Sequence, residues 1–174
     1  MIRKIGGVAV ACALFVSLAF FAAGARAVDG IAMEVGHGDD NTVLFRLALQ
    51  DRWRKRAMIE EWHLAGYWDL SAGVWDNPDH STADFGFTPV FRIERRSIYL
   101  EAAIGVHLVT THISAARTFS TALQFGDHVG VGLYFGPGKR YDLSFRLQHL
   151  SNGHLETPNP GINFWMVRLQ YSLE

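Results

Sequence analysis

The sequence predicts an all-β fold, namely an eight-stranded antiparallel transmembrane β-barrel. From Gly30 onward, apolar residues alternate with small or polar ones in eight stretches, which are separated by clusters of Gly, Asp, Asn and Pro. Alternation with a period of two is the pattern of β-strands, and an even number of long strands favours a closed up-and-down barrel. Charged residues of both signs fall almost entirely on one of the two faces, which is typical of a narrow lumen filled by side chains.

The eight predicted strands follow one another without an intervening helical pattern. They are Gly30–Gly36, Val43–Gln50, Met58–Trp75, Asp84–Arg92, Ser97–Leu108, Ala122–Phe135, Tyr141–Ser151 and Asn163–Leu173. Strands of about 9–11 residues are long enough to cross a bilayer when tilted. The last stretch shows the alternation best, because Trp165 and Val167 lie on one face and Met166 and Arg168 on the other.

The distribution of charge predicts which face points inward. Six charged residues share the second face, where they can form ion pairs inside a lumen: Arg46, Asp69, Arg92, Glu101, Arg146 and Arg168. The first face is apolar and carries aromatic residues suited to membrane interfaces: Trp62, Trp68, Trp165 and Tyr171. A soluble lipocalin-like carrier shares the alternation with the opposite polarity, and it stays open as a less favoured alternative.

The lengths of the connections agree with an orientation in which both termini are periplasmic. Asp76–Ala83, Thr111–Thr121 and Asn152–Ile162 are long, as extracellular loops usually are. Glu94–Arg96 and Gly136–Gly138 are compact enough for periplasmic turns. Five aspartates are expected to be solvated carboxylates of the outer loops: Asp39, Asp40, Asp76, Asp79 and Asp84.

The N-terminus has the three-part pattern of a secretory signal peptide. Two basic residues near the start precede an apolar run, Ile5–Ala22, and small residues close the segment at Ala25-Arg26-Ala27. We therefore assign residues 1–27 to a cleaved leader and residues 28–174 to a single barrel domain.

The exported chain is expected to lack thiols, because Cys12 is the only cysteine and lies in the leader. Its stability must then come from packing or from the membrane, without disulfides. Without the three basic residues of the leader, 13 basic residues stand against 17 acidic ones, a net charge of −4. This balance gives no indication of nucleic-acid binding.

A candidate catalytic pair lies at the end of the seventh predicted strand. His149 and Ser151 continue the outward parity of the apolar residues before them, so we expect them at the extracellular end, facing lipid. Two such residues are about 6.6 Å apart along a strand, which an imidazole and a hydroxymethyl group can bridge. Histidine accepts a serine proton near neutral pH, which predicts ester hydrolysis by Ser151, although polar residues at the membrane interface show the same spacing. The following loop offers oxyanion donors from Asn152, Gly153 and Asn159.

This region resembles the catalytic strand and loop of the lipid A 3-O-deacylase (PagL) family. The resemblance is carried by His149-Leu150-Ser151-Asn152-Gly153, by Leu155 and by Pro158–Ile162. Further matches keep the family's order across most of the mature chain: Gly66-Tyr67-Trp68-Asp69, Pro89-Val90-Phe91, Glu101–Val106, Leu123-Gln124-Phe125, Asp127 and Gly130. The resemblance implies an eight-stranded outer-membrane barrel that removes the ester-linked 3-position acyl chain from lipid A.

The resemblance implies that Ser151 is the nucleophile, that His149 is its base and that Asn159 belongs to the oxyanion loop. The chain departs from the family at Asn163, where the family has an acidic residue that stabilises the imidazolium. Two hypotheses stay open for the third residue: the amide oxygen of Asn163 orients the imidazole, or Glu156 approaches from the loop. A catalytically inactive small barrel with a structural or surface-binding role is the alternative function.

The implied enzyme is a carboxylic ester hydrolase that uses no cofactor. Its implied partners are lipid A or lipopolysaccharide as substrate and the surrounding lipid, and its implied location is the bacterial outer membrane. The other histidines have no tight metal-ligand spacing, so no metal site is predicted. The oligomeric state stays open, with a homodimer among the alternatives.

Overall fold

The computed structural model describes residues 28–78, 80–110 and 118–173. Within these ranges, nine antiparallel strands form one sheet and two short 3₁₀ helices lie in turns. In chain order the elements are β1 (Gly30–Gly38), a 3₁₀ turn (Asp39–Asn41), β2 (Thr42–Arg52), β3 (Ala57–Ile59), β4 (Trp62–Asp76), β5 (Ser81–Arg95), β6 (Ile98–Val109), β7 (Leu123–Phe135), a second 3₁₀ turn (Pro137–Lys139), β8 (Tyr141–Ser151) and β9 (Ile162–Ser172). No helix in the described ranges is long and apolar enough to cross a membrane.

The sheet closes on itself because β1 pairs with both β2 and β9. The register between the first and last strands runs from Gly30 opposite Ser172 to Gly38 opposite Phe164. Because β2 also pairs directly with β4, eight strands form a continuous wall and the short β3 pairs with β4 alone. The predicted eight-stranded antiparallel barrel is confirmed. We call the end with the longer connections the loop end and the end with the chain termini the turn end.

One predicted strand is two strands in the structure. The segment Met58–Trp75 is not a single strand, because the chain reverses at Glu60 and Glu61 before β4 begins at Trp62. Glu60 adopts a φ of 55°, a conformation that favours glycine or asparagine. The reversal therefore carries none of the usual turn residues, glycine, proline, asparagine or aspartate, that would mark it in the sequence.

The two faces of the wall have opposite polarity. On β7, Val129 and Val131 are 58% and 51% exposed, whereas the neighbouring His128 is 5% exposed inside the barrel. The same alternation holds for the other long strands, so the outer surface is a broad apolar band suited to lipid. The sequence left open a soluble carrier with an apolar lumen. Such a carrier has the reverse arrangement, with apolar residues inside and polar residues outside.

The lumen is filled by a network of buried ion pairs. Glu34 accepts hydrogen bonds from three guanidinium groups, those of Arg46 at 2.9 Å, Arg146 at 2.5 Å and Arg168 at 2.8 Å. Arg146 also reaches Glu101 at 2.5 Å, which links strands on different sides of the barrel. All six charged residues that alternation assigned to the lumen are buried there: Arg46, Asp69, Arg92, Glu101, Arg146 and Arg168.

Asp84 corrects the expectation that it is a solvated loop carboxylate. It is fully buried in the lumen, where Arg46 approaches it at 2.5 Å and Nδ1 of His107 lies 2.7 Å away. The reason is that β5 begins at Ser81, so Asp84 is already an inward-facing strand residue. Asp79, another of these aspartates, lies outside the described residues.

The loop end of the lumen is closed by apolar packing rather than by ion pairs. A cluster of buried side chains meets there: Leu44, Trp75, Val109, Phe119, Leu150, Ile162, Phe164 and Met166. Four of these come from β8 and β9, so this part of the wall is packed from inside as well as hydrogen-bonded along its ladder. The outer side of the same segments carries the candidate site.

Candidate active site

The candidate pair lies on the outer face of β8, next to the loop end of the barrel. His149 and Ser151 are both half-buried and follow Leu147, which is 37% exposed on the same face. Leu150, the inward residue between them, is fully buried in the apolar cluster. The strand therefore presents an imidazole and a hydroxyl group on the side of the wall that faces lipid. Within the described residues, no hydrogen bond joins the Ser151 hydroxyl to the His149 ring.

Asn163 on β9 faces His149 directly across the β8–β9 ladder. Its side-chain oxygen lies 2.8 Å from Nδ1 of the His149 ring. An amide oxygen only accepts hydrogen bonds, so Nδ1 is the donor, and in the neutral ring the lone pair is then on Nε2. Of the two hypotheses for the third residue, this geometry favours Asn163. Glu156 is exposed on the loop, and within the described residues no hydrogen bond joins its carboxylate to the His149 ring.

Asp39, which the sequence placed among the solvated loop carboxylates, lies behind Asn163. Its Oδ2 accepts two hydrogen bonds from Asn163, one from Nδ2 and one from the backbone N–H, each at 3.0 Å. Asp39 opens the 3₁₀ turn after β1, and the β1–β9 register ends with Gly38 opposite Phe164. Barrel closure thus brings together two residues that are 124 positions apart in the sequence. Only the pairing of the first and last strands reveals this contact.

Gly161 supports the other side of the imidazole. A Cβ atom at this position would lie 2.7 Å from Cε1 and 3.2 Å from Nε2 of His149. Gly161 also adopts a φ of 61°, which glycine tolerates best. The β8–β9 register ends at Leu150 opposite Ile162, and one further step brings Gly161 opposite Ser151. The Nε2 edge of the ring therefore lies over the glycine that neighbours the serine.

Asp127 on β7 flanks His149 from the opposite side. The β7–β8 register pairs the two residues, and both point outward. In the part of the chain that the structure describes, the Asp127 carboxylate makes no hydrogen bond to the ring. The ring is turned toward β9 instead, where Asn163 receives its Nδ1 proton.

The loop after β8 is held by Asn152, which is fully buried. Its Nδ2 donates to Ser120 Oγ and to the Glu156 carbonyl, both at 2.8 Å, and its Oδ1 accepts from the His154 N–H at 2.9 Å. Its own backbone N–H donates to Oδ1 of Asn159 at 2.9 Å. Because these donors are all engaged, Asn152 anchors the loop instead of presenting a hydrogen bond to an oxyanion.

The other two predicted oxyanion residues keep donors available. The side-chain oxygen of Asn159 accepts a hydrogen bond from the backbone N–H of Asn152, and this contact leaves the Nδ2 group of Asn159 as a donor. Gly153 has a φ of 63°, and its backbone passes over Phe125, the residue paired with Ser151. Within residues 118–173, neither the Asn159 Nδ2 group nor the Gly153 N–H is assigned a hydrogen bond.

An apolar groove runs along the outer face beside Ser151. Its volume is about 320 Å³, and it is lined by Phe87, Pro89, Ile104, Gly105, Val106 and Phe125. Phe125 is the cross-strand partner of Ser151, and Val106 is in turn the partner of Phe125. The groove therefore starts one strand away from the candidate nucleophile. No group of three or more His, Cys, Asp and Glu side chains in the described ranges is arranged to hold a metal ion.

Comparisons of the sequence with known proteins agree on one family. Residues 43–172 match the family model described as lipid A 3-O-deacylase (PagL). The lipid A deacylase PagL of Pseudomonas aeruginosa is 31% identical over 152 residues, which cover 83% of this chain and 86% of that protein. The lipid A deacylase PagL of Bordetella bronchiseptica is 37% identical over 76 residues, or 44% of this chain and 40% of that protein.

Comparison of the folds leads to the same family. The crystal structure of the outer membrane enzyme PagL superimposes with a TM-score of 0.74 at 28% identity, covering 82% of this chain and 98% of that one. The N-terminal β-barrel domain of Pseudomonas aeruginosa OprF gives a TM-score of 0.55 at 9% identity, which reflects the fold alone. The chain belongs to the lipid A 3-O-deacylase (PagL) family of outer-membrane hydrolases.

Proposed function

We propose that this chain hydrolyses the 3-O-linked acyl ester of lipid A with Ser151 as the nucleophile and His149 as its base. The observation that carries the proposal is the 2.8 Å contact between His149 Nδ1 and the Asn163 amide oxygen. This contact commits the Nδ1 proton and leaves the Nε2 lone pair free to accept a proton. Rotation of the Ser151 side chain brings its hydroxyl within reach of Nε2, since both residues project from the same strand face.

The reaction has two steps. Ser151 Oγ attacks the ester carbonyl while Nε2 of His149 takes the hydroxyl proton, and the resulting imidazolium returns that proton to the departing sugar oxygen. Water then attacks the acyl-enzyme with His149 again as the base, which releases the fatty acid and restores Ser151. The Nδ2 group of Asn159 and the N–H of Gly153 are the donors for the oxyanion in both steps.

The apolar groove beside Ser151 is the place for the acyl chain. Its walls are aliphatic and aromatic side chains, and Phe125 connects them to the nucleophile. Because the site opens toward the membrane, a lipid A molecule presents its ester to Ser151 without leaving the bilayer. The carbonyl then lies at the level of the loop end, where the polar donors are.

Two further features complete the proposal. Residues 1–27 direct export and are removed after Ala27, which N-terminal sequencing of the outer-membrane protein would check. All residues of the site come from one chain, so the chemistry does not require a homodimer.

The test is the mass spectrum of lipid A from cells that express the full-length chain. Wild type is expected to remove one acyl chain, and Ser151→Ala is expected to abolish the loss, because the oxyanion donors alone cannot replace a nucleophile. A heat-modifiability gel must show equal insertion of both proteins. Unchanged lipid A from properly inserted wild type, or continued deacylation by Ser151→Ala, would contradict the proposal.

A further inference from the structure

Within the described residues, no hydrogen bond joins the Asp39 carboxylate to His149 or Ser151, yet Asp39 is hydrogen-bonded to the group that orients the base. Its Oδ2 accepts hydrogen bonds from Nδ2 and from the backbone N–H of Asn163, each at 3.0 Å. On the other side of the same amide, Oδ1 of Asn163 lies 2.8 Å from His149 Nδ1. The result is a chain of hydrogen bonds that runs from Asp39 through Asn163 to the imidazole.

We infer that Asp39 is a positioning residue of the catalytic site, which replaces the negative charge that Asn163 lacks. The inference rests on the proposed roles of His149 and Ser151. Asp39 acts through Asn163, because its carboxylate decides which end of the amide faces the histidine.

The reason lies in the hydrogen-bonding capacity of the two groups. An asparagine amide can present either its oxygen or its NH₂ group to a neighbour, whereas an ionised carboxylate can only accept hydrogen bonds. Asp39 therefore holds the NH₂ end of Asn163 and leaves the oxygen for His149. Rotating the amide by 180° would set its oxygen against the Asp39 oxygen and its NH₂ against Nδ1.

The orientation of the amide determines the tautomer of the base. With the Asn163 oxygen at Nδ1, the proton resides on Nδ1 and Nε2 is the free acceptor that Ser151 needs. With the NH₂ group there, Nδ1 becomes the acceptor and the proton moves to Nε2, which removes the base. The carboxylate also polarises the amide, and this polarisation stabilises the imidazolium that forms during the reaction.

The strands place Asp39 where this role requires it. The 3₁₀ turn that it opens follows β1 directly, and β1 is hydrogen-bonded to β9 up to Gly38. The second bond, from the Asn163 backbone N–H, fixes the carboxylate relative to the strand as well as to the side chain. Asp39 is half-buried, so its interaction with the amide is only partly screened by water.

The test exchanges the two residues. Asp39→Asn should lower kcat on lipid A in mixed micelles by about 10-fold or more with little change in KM, because Asp39 orients the base without touching substrate. Asn163→Asp alone should also be impaired, since two carboxylates then face each other at about 3 Å. The double variant Asp39→Asn/Asn163→Asp should recover activity, because it restores one carboxylate and one amide and sets the carboxylate against His149.

Asp40→Asn is the matched control, because it makes the same change of charge in the same turn, and we expect kcat to stay at the wild-type value. Nitrogen-15 NMR of the histidine rings supplies a readout that is independent of catalysis. The His149 ring should be protonated on Nδ1 in wild type and should show a mixture of tautomers in Asp39→Asn. A heat-modifiability gel confirms that each variant has formed its barrel.

Three results would overturn the inference: wild-type kcat for Asp39→Asn, an equal loss for Asp39→Asn in the wild-type and Asn163→Asp backgrounds, or an unchanged His149 tautomer. An equal loss in both backgrounds would mean that Asp39 only supports the fold of the turn. Failure of the proposed function has a different signature, which is unchanged lipid A from properly inserted wild type or deacylation by Ser151→Ala. The tautomer measurement tests Asp39 in either case.

Discussion

The two sides of the β8–β9 wall carry polar groups in very different ways. Inside the barrel, Glu34 alone receives three guanidinium groups, and the ion pairs continue from one strand to the next. On the outside, a line of hydrogen bonds runs from Asp39 through Asn163 to His149, and the outward residues of β9 that continue toward the turn end are apolar. Inside the wall, each buried charge lies next to an opposite charge, and this network of ion pairs stabilises the barrel. The few polar groups outside are arranged so that one imidazole nitrogen stays free.

The largest expected effect concerns the inside. Glu34→Gln leaves three arginines without their shared carboxylate, and removal of one member of a buried ion pair typically destabilises a protein by about 3–5 kcal/mol. We expect a lower urea midpoint for barrel unfolding in detergent, read as earlier loss of the folded band in unheated gel samples. The fraction that remains folded should keep wild-type deacylase activity.

Glu61→Gln is the control for that change. Glu61 pairs with Arg95 at the turn end, where the two side chains are 66% and 42% exposed. An exposed pair of this kind contributes about 0–1 kcal/mol, so the unfolding midpoint should hardly move. Equal destabilisation by both substitutions would contradict the view that burial gives the lumen network its importance.

A smaller effect is expected on the outside, at Gly161. Gly161→Ala places a Cβ atom 2.7 Å from Cε1 of His149, so the ring must move away from Asn163 or from Ser151. We expect kcat to fall by about 10- to 100-fold, as for small displacements of catalytic groups, while the barrel still forms. Steady-state kinetics with lipid A in mixed micelles provide the measurement.

Gly138→Ala separates this steric effect from backbone strain. Gly138 has a φ of 63°, close to the 61° of Gly161, but a Cβ atom there would meet only Cγ of Arg140, at 4.0 Å. Both alanines strain the backbone alike, and only the one at position 161 approaches the histidine. If the two variants lost the same amount of activity, the contact with His149 would not be the cause.

Much of this arrangement can be predicted from the sequence, because the alternation of apolar and polar residues indicates which side of the wall each residue faces. The six lumen charges, the apolar outer face and the outward positions of His149 and Ser151 all follow from parity. Parity fails where the backbone departs from the regular strand. The chain reverses at Glu60 without glycine or proline, and Asp84 lies inside because β5 starts earlier than its turn residues indicate.

Alternation along the strands cannot predict contacts between residues that are far apart in the sequence. Asp39 meets Asn163 only because β1 and β9 close the barrel, and nothing in the local sequence of either residue indicates the other. The role of Asn152 as the anchor of its loop could not be predicted for a similar reason, because its partner Ser120 is 32 positions away on another loop. The residue types were visible in the sequence, but the hydrogen bonds that assign their roles depend on the closed fold.

The central claim is that the outward-facing Ser151 is a nucleophile activated by His149. Labelling of the inserted protein with a fluorophosphonate, followed by peptide mass spectrometry, tests it most directly, because this reagent traps activated serines. We predict modification of Ser151 in wild type and its loss in His149→Gln, while other serines stay unlabelled. An unmodified Ser151, or equal labelling in His149→Gln, would contradict the account.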